Sequence, residues 1–208
     1  SSCILAELER RVPSPTFFPT SDTGLVMGLS RWIDGPMFDL TVKIVLGSAG
    51  DDLPKDFAED RGRLYLGADW AEGLKKAHEN LPHLASQMRG PMSWFNSQLS
   101  DGRRFLLGEN PAALDAQVYH LVWFLRGRWT QGPEFLSEFP FLEKWDANVK
   151  QIGHGQVSDL SAEEAIKQAS ECEPLGLQHD DKNDPQGLAV GTPVVVSPDL
   201  DGSEQPVE

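Results

Sequence analysis

The sequence contains little cysteine, few basic residues and no long apolar run. Two cysteines, Cys3 and Cys172, lie at opposite ends of 208 residues, which argues against a disulfide framework. Eighteen lysines and arginines stand against 32 acidic residues, a net charge of −14. Nucleic acids and anionic membrane surfaces require basic patches, so neither is an expected partner. No stretch approaches the roughly 20 apolar residues of a membrane span. We therefore expect a cytoplasmic globular protein.

Apolar residues recur at helical spacing through most of the chain. The first run, from Leu25 to Ile44, contains Gly35-Pro36, where a kink is expected. Further helices are predicted in residues 53–67, 74–102 (bent near Pro82 or Pro91), 112–127 and 139–155, and after the capping residue Ser161. No alternation typical of strands occurs before residue 188. The pattern predicts a mainly α protein, a bundle of six or so helices.

The two ends of the chain differ from this bundle. Residues 1–13 are predicted to form a helix capped by Ser1 or Ser2. Residues 14–24, rich in proline, serine and threonine, are predicted to form a linker. Residues 173–190 predict an acidic linker, and residues 191–208 predict a short β-strand at the start of a small extension. A lone helix and a lone strand lack partners. We therefore expect further chain beyond both ends.

One acidic residue lies near the start of the most apolar helix, in FLLGENPAALDAQVYHLVWFLRG (105–127). Asp115 can accept hydrogen bonds from backbone N–H groups of the first turn and meets the positive end of the helix dipole. Ala112 has no side-chain acceptor to complete a reciprocal capping box, and Asn110 is the alternative cap. The position predicts that Asp115 is a structural N-cap and not a catalytic acid.

No residue pattern predicts a metal site. His78 and His83 in HENLPH are five residues apart with Pro82 between them, so their imidazoles face different sides of a helix. The HDDKND segment (179–184) lacks the alternating ligands and glycine of a calcium loop. His120 is interpreted as a satisfied core or interface histidine, and Cys172 as an unreactive thiol because no base or cation adjoins it.

Several segments, in this order, resemble the cytosolic glutathione transferases (GSTs). They are SSCILAELERRVP, the proline-rich linker, RWID on the first bundle helix, and RRFLLGENPAALDAQVYHLVWFL. IGHG, SAEEAIKQA and DPQGLAVGTPVVVSPDLDG resemble a microbial GST-like family with a β-rich C-terminal extension. The resemblance implies that residues 1–13 are the last helix of an otherwise absent thioredoxin-like domain and that 25–172 are the helical C-terminal domain. Asp115 matches the acid of the family's Ser/Thr-x-x-Asp box, but Ala112 departs from its hydroxyl position.

The resemblance also implies a function. The intact protein would conjugate or reduce small hydrophobic electrophiles with glutathione as co-substrate, as a homodimer. The family's thiol-activating residue lies in the thioredoxin-like domain, so no catalytic residue is expected here and this chain alone would be inactive. Ser1 and Ser2, at a helix start, would bind the γ-glutamyl carboxylate or serve only as caps. Met37 and Phe38 would line the electrophile pocket or belong to the core. The alternative function is a non-catalytic transferase-like module for binding or dimerisation.

Overall fold

The computed structural model describes residues 2–49, 53–173 and 181–196, with the backbone alone described for Ser2 and Thr20. This part of the chain is mainly helical and contains no sheet, as the sequence predicts. The chain divides into two compact units, residues 1–153 and 154–208. The predicted helical domain extended to residue 172, whereas the first compact unit ends at Gly153, where a helix terminates at positive φ.

The first helix, α1 (Ser2–Arg11), has an apolar face that is buried only in part. Leu5 is 8% exposed and belongs to the core of the first unit. Two other apolar residues of α1, Ile4 and Leu8, are exposed. Leu5 therefore anchors α1, and the rest of its apolar face stays open in this chain.

The proline-rich segment after α1 is held in place by hydrogen bonds. The Phe17 N–H donates to the Glu9 carboxylate at 2.7 Å, and the Phe17 carbonyl accepts from the Ala113 N–H at 3.0 Å. The Phe17 ring also packs against the core. The segment predicted as a linker therefore connects α1 to the start of the central helix.

The apolar run predicted from Leu25 to Ile44 forms two helices joined by a wider turn. Helix α2 (Thr23–Trp32) leads into a π-helical turn (Ile33–Met37), and α3 (Phe38–Ala49) follows directly. Pro36 lies in the π turn. Proline lacks an N–H and clashes with the carbonyl four residues earlier, so a wider turn accommodates it without ending the helix. This confirms the irregularity predicted at Gly35-Pro36.

Three helices follow α3 in the chain. They are α4 (Lys55–Leu66), α5 (Trp70–Glu79) and α6 (Leu81–Gln98), and α3 packs against each of them. The long helix predicted over 74–102 is divided at Asn80, which adjoins both α5 and α6. Pro82 is thus the second residue of α6, where its missing N–H has no helical acceptor to lose.

The central helix α7 (Ala113–Arg128) contributes eight buried residues to the first unit. It packs against α2, α3 and two later helices, α8 (Gly132–Ser137) and α9 (Pro140–Ile152). Its fully buried apolar side chains include Leu114, Val118, Leu121, Val122 and Leu125. The bundle core predicted from these residues is confirmed, and α8 is a helix that the periodicity did not predict.

A short loop between α6 and α7 is fixed by an arginine. The Arg103 guanidinium donates to the Asp101 carboxylate at 2.6 Å and to the Leu106 carbonyl at 3.2 Å. The Arg103 side chain, with its backbone N–H, holds the pKa of the Asp101 carboxyl at about 2. Arg103 therefore links the turn after α6 to the segment that precedes α7.

We expect Arg103→Gln to raise the pKa of Asp101 from about 2 toward 3.8, measured by an NMR pH titration of the carboxyl carbon. A depressed folded-state pKa stabilises the protein above the unfolded value and loses that contribution as the pH falls toward 2, so the variant should lose less stability on acidification. Arg104→Gln is the matched control and should leave the Asp101 titration in place. An unchanged titration in Arg103→Gln would refute the assignment.

The second unit contains one described helix, α10 (Ala162–Glu171). The Ser161 hydroxyl accepts from the Glu164 N–H at 3.1 Å, and the Glu164 carboxylate accepts from the Ser161 N–H at 3.3 Å, which confirms the predicted capping box. All residues of α10 are exposed. In residues 191–196 no strand is described beyond a single bridge residue, Val196, and the rest of the predicted extension lies outside the described residues. No helix in the described ranges has the length and apolar character needed to cross a membrane.

Candidate functional site

A cavity of about 630 Å³ lies between α3, α4 and α7, and we call it the α3–α4–α7 cavity. This volume is in the range of small-molecule sites, about 300–1,000 Å³. Phe38, at the start of α3, lies on its wall. Most of its other lining residues are apolar or aromatic, among them Val42, Val45, Leu46, Phe57, Tyr65, Trp123 and Phe124.

The π turn determines which side chain reaches the cavity. Phe38 is the first residue after this turn, and its ring lies 5.9 Å from the Tyr65 ring and 5.8 Å from the His120 imidazole, measured between centroids. Met37 precedes it by one position, which turns its side chain about 100° around the helix. Met37 is 2% exposed, belongs to the core and does not line the cavity. Of the two residues predicted for an electrophile pocket, Phe38 lines the α3–α4–α7 cavity and Met37 lies in the core.

Among the described residues, the charged side chains that line the cavity are those of two arginines, Arg61 and Arg128. Arg61, on α4, lies with its guanidinium carbon 5.8 Å from the centre of the Phe57 ring. It also approaches the Asp60 carboxylate at 3.4 Å, with both side chains largely exposed. Arg128 is the last residue of α7 and is exposed. The described lining therefore includes two guanidinium groups and no carboxylate, with Asp60 beside Arg61.

A partly buried polar network adjoins His120, whose ring packs against Phe38. The Ser30 hydroxyl donates to the Gln117 side-chain oxygen at 2.7 Å, and the Gln117 amide donates to the Asp34 carboxylate at 3.2 Å. His120 Nδ1 lies 2.7 Å from the Gln117 carbonyl, which can only accept, so Nδ1 carries the proton. Burial lowers the pKa of His120. The imidazole is therefore neutral and hydrogen-bonded near neutral pH, as expected of a satisfied interior histidine.

Asp115 lies at the opposite end of α7 from the cavity. Its carboxylate accepts three hydrogen bonds, from the Ala112 N–H (2.8 Å), the Leu106 N–H (2.8 Å) and Trp145 Nε1 (2.7 Å). Burial raises the pKa of the Asp115 carboxyl, and the three donors oppose that effect. Asp115 and Trp123 are eight positions apart, about 12 Å along the helix. The carboxylate joins three segments of the bundle and has no free oxygen directed at the cavity.

The remaining predicted residues are not brought together. Ser1 lies outside the described residues, and Ser2 begins α1 with its side chain undescribed, so glutathione binding there stays a prediction. His78 Nδ1 is 2.9 Å from the Gly47 carbonyl. No cluster of metal-ligating side chains occurs in the described ranges, which exclude His179 and Asp180 of the HDDKND segment. Cys172 is a free, exposed cysteine.

Comparison with solved structures identifies a GST-like neighbour. No protein-family model matches the chain, and neither does any curated protein. The structure is similar to that of a GST-like protein from Pseudomonas syringae, solved to 2.4 Å, with a TM-score of 0.64 and 29% sequence identity. The fold is GST-like. The match covers 89% of this chain and 56% of that chain, so the present chain spans little more than half the length of its neighbour.

Several cavity residues of the GST-like bundle escaped the sequence analysis. Trp123 and Phe124 lie in the apolar helix α7 but outside its fully buried stripe, and Trp123 is 50% exposed. A helix with one buried apolar side can also carry aromatic residues on its exposed side. That pattern could have indicated Trp123 and Phe124 from the sequence. Arg61 and Arg128 carry no such signal, because arginine on a helix surface is ordinary.

Proposed function

We propose that this chain is the electrophile-side helical domain of a glutathione-dependent transferase or reductase, and that the α3–α4–α7 cavity receives the hydrophobic co-substrate. The GST-like fold supports the class of protein. The single observation that carries the site is the aromatic cavity of about 630 Å³ with Phe38 on its wall. A largely apolar pocket with a few polar groups is the usual form of a small-molecule site.

Glutathione would bind mainly to residues that this chain does not contain. The chain matches 56% of its neighbour's length, and in this proposal the thiol-activating residue belongs to the part of the protein outside the present chain. Ser1 and Ser2, at the N-terminus of α1, would contribute hydroxyl and N–H donors to a glutathione carboxylate. In this proposal Asp115 accepts hydrogen bonds within the bundle core and takes no part in the reaction.

Thermal unfolding with and without glutathione tests this function. We expect glutathione to raise the melting temperature of the complete gene product, because a ligand that binds only the folded state stabilises it by about 2.7 kcal/mol at a hundred times its Kd. The 208-residue chain is the matched control and should show little or no shift. Replacing both Ser1 and Ser2 with alanine in the complete product should reduce the shift.

The opposite outcome has a defined meaning. If both proteins are folded and neither responds to glutathione, the transferase function fails. The alternative, a transferase-like module for binding or dimerisation, would then account for the fold. Sedimentation of the same two samples would measure whether either forms the proposed homodimer.

A further inference from the structure

The charged residues in the described lining of the α3–α4–α7 cavity are opposite in sign to the net charge of the chain. Acidic residues outnumber basic ones by 32 to 18 over the whole sequence. The described cavity wall nevertheless includes Arg61 and Arg128 and no aspartate or glutamate. A concave apolar wall with one sign of charge concentrates ligands of the opposite sign. The ligand of this cavity is therefore expected to carry negative charge.

Arg128 is the better placed of the two guanidinium groups. No hydrogen bond or ion pair joins its side chain to another described residue, whereas Arg126, two positions earlier in α7, is paired with Asp146. A cation in the last turn of a helix interacts favourably with the dipole, which gives Arg128 a structural role as well. Its free donors at the edge of an apolar cavity are suited to a carboxylate, which a guanidinium binds through two parallel hydrogen bonds.

Arg61 completes the cationic edge from α4. Its contact with Asp60 is between exposed neighbours, a kind of pair worth little in water. Its guanidinium carbon lies 5.8 Å from the centre of the Phe57 ring, which also lines the cavity. Arg61 is therefore positioned beside an aromatic surface and can turn its remaining donors toward a bound anion.

The aromatic residues define the other half of the ligand. Phe38, Trp123 and Phe124 present rings to the cavity from two helices, and Trp123 is half exposed without a ligand. Rings of this kind pack best against flat apolar groups through offset or edge contacts. We propose that the cavity binds aromatic carboxylates, with the ring system against these side chains and the carboxylate accepting hydrogen bonds from Arg128 and Arg61. This inference rests on the proposed function, and the aromatic carboxylate is the part of the electrophilic co-substrate that the same site would hold.

Calorimetric titration of the 208-residue chain, without glutathione, tests the proposal with 2-naphthoate and its neutral counterpart 2-naphthamide. We expect 2-naphthoate to bind roughly tenfold or more tightly than 2-naphthamide, which corresponds to about 1.4 kcal/mol. Added salt should weaken only the naphthoate complex, since screening acts on exposed charges. Equal affinities, or no binding by either compound, would overturn the proposal.

Two substitutions locate the bound anion. We expect Arg128→Gln to reduce 2-naphthoate affinity roughly tenfold and to leave 2-naphthamide unaffected. Arg63→Gln is the matched control, because Arg63 lies on α4 but does not line the cavity. Both residues are exposed, so neither change should disturb folding, which circular dichroism checks. Equal losses in the two variants would refute a specific site.

The two proposals fail separately. Binding of 2-naphthoate with no glutathione-dependent shift in the complete gene product would support the anion site and reject the transferase. A glutathione shift without naphthoate binding would support the transferase and reject this ligand class.

Discussion

Replacement of Asp115 by alanine should lower the free energy of unfolding by about 3–5 kcal/mol, because the change removes the acceptor of three buried donors. These donors belong to Ala112, Leu106 and Trp145. Each buried donor left without a partner costs about 1–3 kcal/mol. Part of that sum is offset because the buried carboxylate, whose desolvation raises its pKa, is removed as well. Urea unfolding followed by circular dichroism would measure the loss.

Two variants separate the hydrogen bonds of Asp115 from general damage to α7. Asp115→Asn keeps the shape and one acceptor oxygen but turns an NH2 group toward a donor, so an intermediate loss is expected. Ala116→Gln changes the exposed neighbour in the same turn to another good helix former and should stay within about 0.5 kcal/mol of the parent. A loss below about 1 kcal/mol in Asp115→Ala would contradict the network.

The capping network shows what a sequence can and cannot reveal. The position of Asp115 in a first helical turn is local information, and it sufficed to predict a structural acid. The structure begins the helix after Ala112, so the alternative cap Asn110 is not used. Trp145 lies 30 residues away and Leu106 precedes the turn, and these partners depend on packing that no local pattern encodes.

The prolines illustrate the same limit within helices. The sequence predicts an irregularity at Pro36 and at Pro82 or Pro91, but the three outcomes differ. Pro36 lies in a π turn that continues the helix. Pro82 lies in the first turn of α6, and Pro91 lies inside α6 without ending it. Tertiary packing decides whether a lost N–H bond ends a helix, because neighbouring contacts can offset its cost. The six residues of α8 are too few to show a helical period.

The cavity depends on the relative placement of three helices. The sequence was sufficient to propose Phe38 as a pocket residue, because Phe38 follows an irregular proline turn in a strongly apolar run. Its neighbour Met37 could not be separated from it, since the phase of α3 is set only after the π turn adds its extra residue. Arg61 and Arg128 are 67 positions apart in the sequence (128 − 61). Only the fold brings such side chains to one opening.

Replacement of Gly132 by alanine should destabilise the bundle by about 3 kcal/mol, the upper end of the usual cost of overpacking. Gly132 begins α8 where that helix meets α7. A Cβ atom there would overlap the Leu125 carbonyl oxygen and lie 2.8 Å from its carbon. The Leu125 carbonyl oxygen and carbon are backbone atoms of a buried helix. They cannot move aside as the end of a flexible side chain would. Thermal and urea unfolding would both report the change.

Gly127→Ala adds the same methyl group but should change stability in the opposite direction. Gly127 is exposed within α7, and no atom lies within 4 Å of an added Cβ. Alanine there should stabilise the protein by about 0.5–1 kcal/mol, because glycine loses more conformational freedom on forming a helix. The two glycines are close in the sequence, so composition and local pattern barely distinguish them. If both variants changed stability in the same direction, the close approach of α8 to α7 would be wrong. Opposite signs would confirm that this contact sets the position of α8 against the central helix.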